Sequence, residues 1–177
     1  MEPKTRLDAL KSKLDSKESL GRKLEVWRMQ GKKIVFTNGC FDILHCGHID
    51  YLTKASDLGN VLIVGVNSDS SVKRLGKNSS RPIQDEQSRA NIIASLSVVE
   101  SALIFDQDTP LEIIKFIQPD VLVKGADYDE EEKNPSSPKY IVGSVEVKAS
   151  GGTVKTIEFL EGFSTTAIEN KIKNSNA

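Results

Sequence analysis

The chain reads as an α/β protein: a Rossmann-like three-layer sandwich with a five-stranded parallel sheet and an added N-terminal helical segment. Three observations carry that reading. Short apolar runs of strand length alternate with segments of helix length from residue 34 to residue 173. The first run, Ile34-Val35-Phe36, is apolar throughout, as in a strand buried on both faces. At 177 residues, with 38% hydrophobic and 28% charged residues, the chain has the material for one ordinary core.

The segments divide into a helical extension, 1–31, and a main domain, 32–177. In the extension Leu7, Leu10 and Leu14 share one helical face, Leu20, Leu24 and Trp27 another, and Gly31 is placed to end the run. It carries no chemical motif. It packs either on the domain or on another copy of the chain, as a homo-oligomer.

In the main domain Ile34–Thr37 is the first strand and Ile49–Leu58 its helix. Val61–Val66 is the second strand, ended by Asn67-Ser68-Asp69, a natural helix cap. A helix follows over Asp85–Leu96, a third strand over Ala102–Phe105, and a helix over Pro110–Ile117 with proline at its start. Val121–Val123 is the fourth strand. Tyr140–Ala149 reads as a helix ended by Gly151-Gly152, Val154–Ile157 as the fifth strand and Ser164–Lys173 as the closing helix. The polar, acidic, proline-containing stretch 129–138 reads as a mobile loop, either plain surface or a lid. In a parallel sheet covered on both faces, ligands bind beyond the carboxyl ends of the strands. The loops after Phe36, Val66, Val123 and Phe159 converge there.

Composition narrows the function. A net charge of -1 argues against a nucleic-acid binder held by broad electrostatics. No apolar stretch is long enough to span a membrane, and no signal-like n-region and h-region pair is present, so the expected location is cytoplasmic. The two cysteines, Cys40 and Cys46, flank His45, and His48 follows. All four fall in one short turn with no second ligand pair, which suits a structural zinc site poorly; a buried reduced thiol is the plainer reading of Cys40. No metal held by protein ligands alone is expected.

The chemistry concentrates in Thr37-Asn38-Gly39-Cys40-Phe41-Asp42-Ile43-Leu44-His45-Cys46-Gly47-His48. This string leaves a strand at Asn-Gly and enters a helix through His-Cys-Gly-His. It sets the chain's two histidines on one face of a first helical turn, where unpaired N–H groups attract phosphate. Gly47 permits close backbone approach. A second element, Glu161-Gly162-Phe163-Ser164-Thr165-Thr166, offers hydroxyls at a helix start. No Gly-x-Gly-x-x-Gly follows the first strand and no Walker-type lysine appears, which disfavours hydride transfer and P-loop phosphoryl transfer.

His45-Cys46-Gly47-His48 matches the His-x-Gly-His signature of the cytidylyltransferase-like branch of the nucleotidyltransferase family. The longer string resembles more closely the adenylyltransferase domain of bacterial ADP-heptose synthases, over roughly Lys32 to Lys173. The resemblance implies roles. His45 and His48 contact the nucleotide phosphates and stabilise transition-state charge, and Lys73 neutralises charge at the α-phosphate. Thr37, Asn38, Gly39, Cys40, Phe41 and Gly47 bind the nucleotide, as do Arg89, Lys124, Gly125 and Asp127. Ser164, Thr165 and Thr166 take the triphosphate. Asp42 and Asn67 face the acceptor. Residue-level alternatives stand beside these roles: an exposed ion pair of Arg89 with Asp85 or Glu86, and an Asx-type turn at Asp42. Ala126 departs from the Lys-Gly-Gly-Asp-Tyr usual in that branch and threatens to crowd a ligand there.

The reaction implied is transfer of AMP from ATP to D-glycero-β-D-manno-heptose 1-phosphate, giving ADP-heptose and pyrophosphate for lipopolysaccharide core synthesis, with Mg²⁺ bridging phosphates. Its partners are ATP and a sugar 1-phosphate, the latter supplied by a separate sugar kinase, for which this chain is expected to be too short. Two alternatives stay open: a cytidylyltransferase for glycerol 3-phosphate or a related alcohol phosphate, and a nucleotide-binding regulatory subunit without turnover.

Overall fold

Five parallel strands form one sheet in the order β3-β2-β1-β4-β5. They are β1 (Ile34–Gly39), β2 (Val61–Asn67), β3 (Ser101–Phe105), β4 (Val121–Gly125) and β5 (Thr153–Ile157). This computed structural model describes residues 5–76 and 81–175. The helices are α1 (Arg6–Lys11), α2 (Lys17–Met29), α3 (Cys46–Ser56), α4 (Asp69–Arg74), α5 (Glu86–Ala94), α6 (Leu111–Ile117), α7 (Ser144–Ala149) and α8 (Thr165–Ser175).

The central strands β1, β2 and β4 carry apolar runs because each face of the sheet has its own core, whereas the edge strand β5 leaves Thr153 and Lys155 exposed. Val35, Leu62, Val64, Val121 and Val123 face one layer, with Leu52 and Ala55 of α3 and Ala90 and Ile93 of α5. Ile34, Phe36, Ile63 and Leu122 face the other, with Leu20 and Leu24 of α2, Ile113, Ile114 and Ile117 of α6 and Val147 of α7. Burying a side chain such as Leu20 or Leu24 stabilises the fold by about 1.5–3 kcal/mol, so α2 is part of the main core. The chain between α1 and α2 also covers the outer edge of β3. Leu14 bridges Ala102; Asp15 N–H donates to the Ala102 carbonyl at 2.9 Å and Ala102 N–H to the Lys13 carbonyl at 2.8 Å. Buried Asp15 holds this edge closed by accepting from Lys23 Nζ at 2.6 Å and Ser101 Oγ at 2.7 Å.

One helix differs from the sequence expectation in its bounds, and one expected loop is anchored by hydrogen bonds. The helix expected over Tyr140–Ala149 begins only at Ser144, because Gly143 takes φ +87° as its N-cap and the preceding residues form turns. The stretch 129–138, expected to be mobile, is a turn-rich loop tied to β5. Glu130 Oε1 accepts from Thr156 N–H at 2.5 Å and Thr156 Oγ1 at 3.0 Å, and the Glu130 carbonyl accepts from Lys148 Nζ at 2.7 Å.

The chain runs from β1 outward to β2 and β3, then returns to β4 on the other side of β1. The loops leaving β1 and β4 therefore part at their carboxyl ends and open a crevice there.

Candidate active site

A cavity of about 760 Å³ occupies that crevice. Its floor is the turn from β1 into α3. Gly39 lets the Phe41 ring lie close: a Cβ on Gly39 would stand 3.1 Å from two ring carbons. Phe41 itself sits at φ +50°, a backbone region that costs a non-glycine residue energy and is found at ligand-handling turns. Its ring meets His48 edge-on, with centroids 5.4 Å apart.

His45 is the N-cap of α3, with extended backbone, yet its side chain makes no capping hydrogen bond. The imidazole instead stacks on that of His48, one turn along, at 3.8 Å between centroids and 22° between planes. Both Nδ1 atoms are buried without a hydrogen-bond partner. Burial lowers the His45 pKa, and burial together with the neighbouring His45 lowers that of His48 to about 4. Both rings are therefore neutral at pH 7. Gly47 is required between them, since a Cβ there would stand 3.0 Å from His45 Nδ1 and 3.2 Å from Phe163 Cβ.

The opposite wall comes from β4. Lys124 is buried, donates to Asn38 Oδ1 at 2.5 Å and lies 5.6 Å from the Tyr128 ring centroid. Burial lowers its pKa to about 8 against the opposing pull of Asp127 and Cys40. Gly125 lies under the Phe159 ring: a Cβ on it would be 2.0 Å from Phe159 Cζ and 2.7 Å from Asp127 Oδ1. Ala126 is exposed and outside the cavity lining, so its methyl does not crowd the cavity as expected. The third wall is the start of α8. Ser164 Oγ accepts from Ala167 N–H at 3.0 Å, and Thr165 and Thr166 line the cavity beside it.

Asp42 is 3% exposed. Its Oδ1 accepts from Ile83 N–H at 2.8 Å and Gln84 N–H at 3.0 Å, so it pins a distant segment rather than forming an Asx turn. Its Oδ2 is buried without a partner, and Asp42 lines the cavity. Asn67, also buried and lining, donates to Ser71 Oγ at 3.0 Å.

Thus Asn38, Gly39, Cys40, Phe41, Asp42, His45, Gly47, His48 and Asn67 meet at one cavity with Lys124, Gly125, Asp127, Ser164, Thr165 and Thr166. Three expected contacts lie elsewhere. Thr37 is buried behind the wall, its hydroxyl 2.8 Å from that of Tyr51. Arg89 is wholly buried, and its guanidinium donates to the carbonyls of Gln84 and Cys40 and to Asp69 at 2.7 Å. It holds the site's loops together and reaches neither the cavity nor solvent, so both the phosphate contact and the exposed ion pair are corrected. Lys73, in the last turn of α4, is exposed and outside the cavity lining.

Arg81, Tyr128, Tyr140, Phe159 and Phe163 also line the cavity, beyond the residues expected from the sequence. Phe163 was readable from its place beside Ser164; Arg81 belongs to no motif. Among the described residues, no three His, Cys, Asp or Glu side chains group to hold a metal ion. Nor is any described helix long and apolar enough to cross a membrane.

The family model described as cytidylyltransferase-like matches residues 36–171. The bifunctional protein HldE of Syntrophotalea carbinolica is 49% identical over 161 residues, covering 91% of this chain and 31% of that protein. The bifunctional protein HldE of Campylobacter jejuni serotype O:2 is 52% identical over 162 residues, covering 92% and 32%. The chain spans about a third of the length of these curated relatives. Among solved structures, the lipopolysaccharide core biosynthesis protein of Thermoplasma volcanium superposes with a TM-score of 0.55 at 32% identity, covering 73% of this chain and 98% of that one. The pantoate-β-alanine ligase of Francisella tularensis, at 15% identity and a TM-score of 0.58, covers 93% of this chain and 78% of its own, and shares the fold alone.

Proposed function

Because the chain belongs to the cytidylyltransferase-like family, we propose that it transfers AMP from ATP to D-glycero-β-D-manno-heptose 1-phosphate. The products are ADP-heptose and pyrophosphate. The observation that carries the reading is the stacked pair of neutral imidazoles facing the hydroxyl-bearing start of α8 across one cavity. The likeness of the Thr37–His48 string to ADP-heptose synthases supports the choice of nucleotide and acceptor. The 32% identical Thermoplasma protein, named for lipopolysaccharide core biosynthesis, supports the pathway.

An oxygen of the acceptor phosphate attacks the α-phosphorus of ATP. The bond from that phosphorus to the bridging α–β oxygen breaks, and its electron pair departs with pyrophosphate. The attacking group is already an anion, so no protein nucleophile or base is needed. The chain must align two polyanions and stabilise charge that grows on the non-bridging and leaving oxygens. His45 and His48 donate hydrogen bonds there, and α8 presents Ser164, Thr165 and Thr166 to the triphosphate. A neutral imidazole still keeps one N–H to donate.

Mg²⁺ is the proposed cofactor. Asp42 fits it: Oδ2 is a buried carboxylate oxygen at the cavity with no protein partner. Among the described residues no three His, Cys, Asp or Glu side chains group around it, so phosphate oxygens and water would complete the shell of such an ion. When bound, such an ion offsets phosphate charge and polarises the α-phosphate.

The test is pyrophosphate release with ATP, CTP and GTP, each against heptose 1-phosphate and glycerol 3-phosphate. Turnover confined to ATP with the heptose is the expected result. Preference for CTP with glycerol 3-phosphate, or no turnover with any pair, overturns it.

A further inference from the structure

We propose that Arg81 binds the phosphate of the acceptor and that Glu169, reaching from α8, positions it there. The proposal rests on the transferase reading above and names a residue that reading does not contain.

The charge balance of the cavity is the starting point. Arg81 and Lys124 are the basic side chains among the described residues that line it, against the carboxylates of Asp42, Asp108 and Asp127. Lys124 is spent on Asn38, deep between β1 and β4. The two imidazoles are neutral at pH 7. Arg89 is used up beneath the floor, Arg74 is paired with Asp108 at 2.5 Å, and Lys73 is outside. A second polyanion entering beside ATP therefore finds one permanently charged guanidinium, that of Arg81.

The location of Arg81 selects the acceptor over ATP. Arg81 begins the segment whose Ile83 and Gln84 N–H groups are fixed on Asp42 Oδ1. The other oxygen of Asp42 is buried and unpaired. A carboxylate and a guanidinium lining one cavity match a polyhydroxylated phosphate, which offers hydroxyls to the first, directly or through a bound cation, and its phosphate to the second.

Glu169 holds Arg81 in this position. Nε and Nη2 both donate to Glu169 Oε1, at 3.0 and 2.5 Å, and the two side chains are 18% and 13% exposed. Glu169 takes two of the five guanidinium donors. The bond joins positions 88 apart and ties the Arg81 segment to the helix whose first residues form the third wall. An exposed arginine has many rotamers; this pair selects one before the phosphate arrives, which lowers the ordering cost of binding.

The experiment measures steady-state kinetics for the wild-type chain, R81Q, E169Q and the double variant, varying heptose 1-phosphate and ATP in turn. R81Q is expected to raise the acceptor KM by about 10- to 100-fold, the worth of a charged hydrogen bond, and to leave the ATP KM unchanged. E169Q raises the acceptor KM by a smaller factor, and the double variant is no worse than R81Q alone. An equal rise in the ATP KM overturns the assignment to the acceptor, and an E169Q variant identical to wild type overturns the positioning role. If R81Q does not fold, the E169Q acceptor KM decides by the same criterion. Inorganic phosphate titrated against the melting temperature separates this proposal from the transferase reading. If no sugar phosphate turns over, the reading fails. Arg81 is then still supported by a phosphate-induced shift that is smaller in R81Q, and refuted if R81Q shifts as much as wild type or if wild type does not shift.

Discussion

His45 and His48 stack face to face, 3.8 Å between ring centroids, with both Nδ1 atoms unpaired and buried. Two imidazoles in van der Waals contact cannot both be charged without strong repulsion, and burial presses each toward the neutral form. The pair is thus a fixed, uncharged donor array aimed at whatever fills the cavity.

Replacing His48 by Ala is expected to lower kcat by about two to three powers of ten, the usual cost of one preorganised donor to a developing oxyanion. The melting temperature at pH 7 should fall only modestly, by the lost packing on His45 and Phe41, because His48 makes no protein hydrogen bond through Nδ1. Paired kinetics and calorimetry check this. A normal kcat removes His48 from the mechanism.

The same burial makes stability depend on pH. The folded-state pKa of His48 is about 4, below the ordinary 6.5. Between those values the unfolded chain binds a proton that the folded chain refuses, so stability falls as pH drops from 6.5 toward 4. That contribution is fully present above 6.5. H48Q should flatten this part of the curve in urea titrations at several pH values. An identical slope in H48Q would assign the effect to another group.

Much of the site was legible in sequence because its parts are local. His45, Gly47, His48 and Phe41 interact within one turn, and Ser164 caps its own helix. The strands were legible too, since burial on both faces leaves unbroken apolar runs such as Val61–Val66. What escaped is made by pairs far apart in the chain. Asp42 finds Ile83 41 positions on, Arg81 finds Glu169 88 on, and Arg89 finds Cys40 49 back. No periodicity records such pairs. An arginine read alone looks like a phosphate ligand whether it faces a cavity or braces its floor. The Glu130 contact escaped for the same reason: a carboxylate inside an acidic run reads as solvated, and only the fold brings Thr156 to it.

Arg89 therefore tests the difference. With no exposure and bonds to two carbonyls and Asp69, its removal leaves those acceptors and a carboxylate without their donor. Arg89→Met is expected to cost about 3 kcal/mol of stability, by analogy with broken buried ion pairs. Chemical denaturation measures it. A variant of full stability with a raised ATP KM would restore Arg89 as a nucleotide ligand.

Lys73 gives the converse case. Being exposed and outside the cavity, its replacement by Met is expected to leave kcat within about threefold of wild type, as surface substitutions remote from the chemistry do. Single-turnover measurements decide this. A fall of hundreds-fold would mean that α4 or the chain after it moves to bring the ammonium to the α-phosphate.

The metal requirement follows from the donor set. The cavity offers hard oxygen ligands: Asp42 Oδ2 from the protein and the phosphates from the substrates. Cys46 is exposed and outside the cavity lining, and no soft-ligand group forms with it among the described residues. Mg²⁺ or Mn²⁺ suits oxygen donors, whereas a closed zinc site needs sulfur or imidazole at tetrahedral spacing. Treatment with a chelator should abolish turnover, and Mg²⁺ should restore it without zinc. Asp42→Asn should raise the Mg²⁺ concentration needed for half-maximal rate, because a neutral amide oxygen binds a hard cation more weakly than a carboxylate. Cys46→Ser should keep most activity. Metal analysis beside these assays settles the point: stoichiometric zinc that leaves with Cys46 and takes activity with it would overturn the assignment.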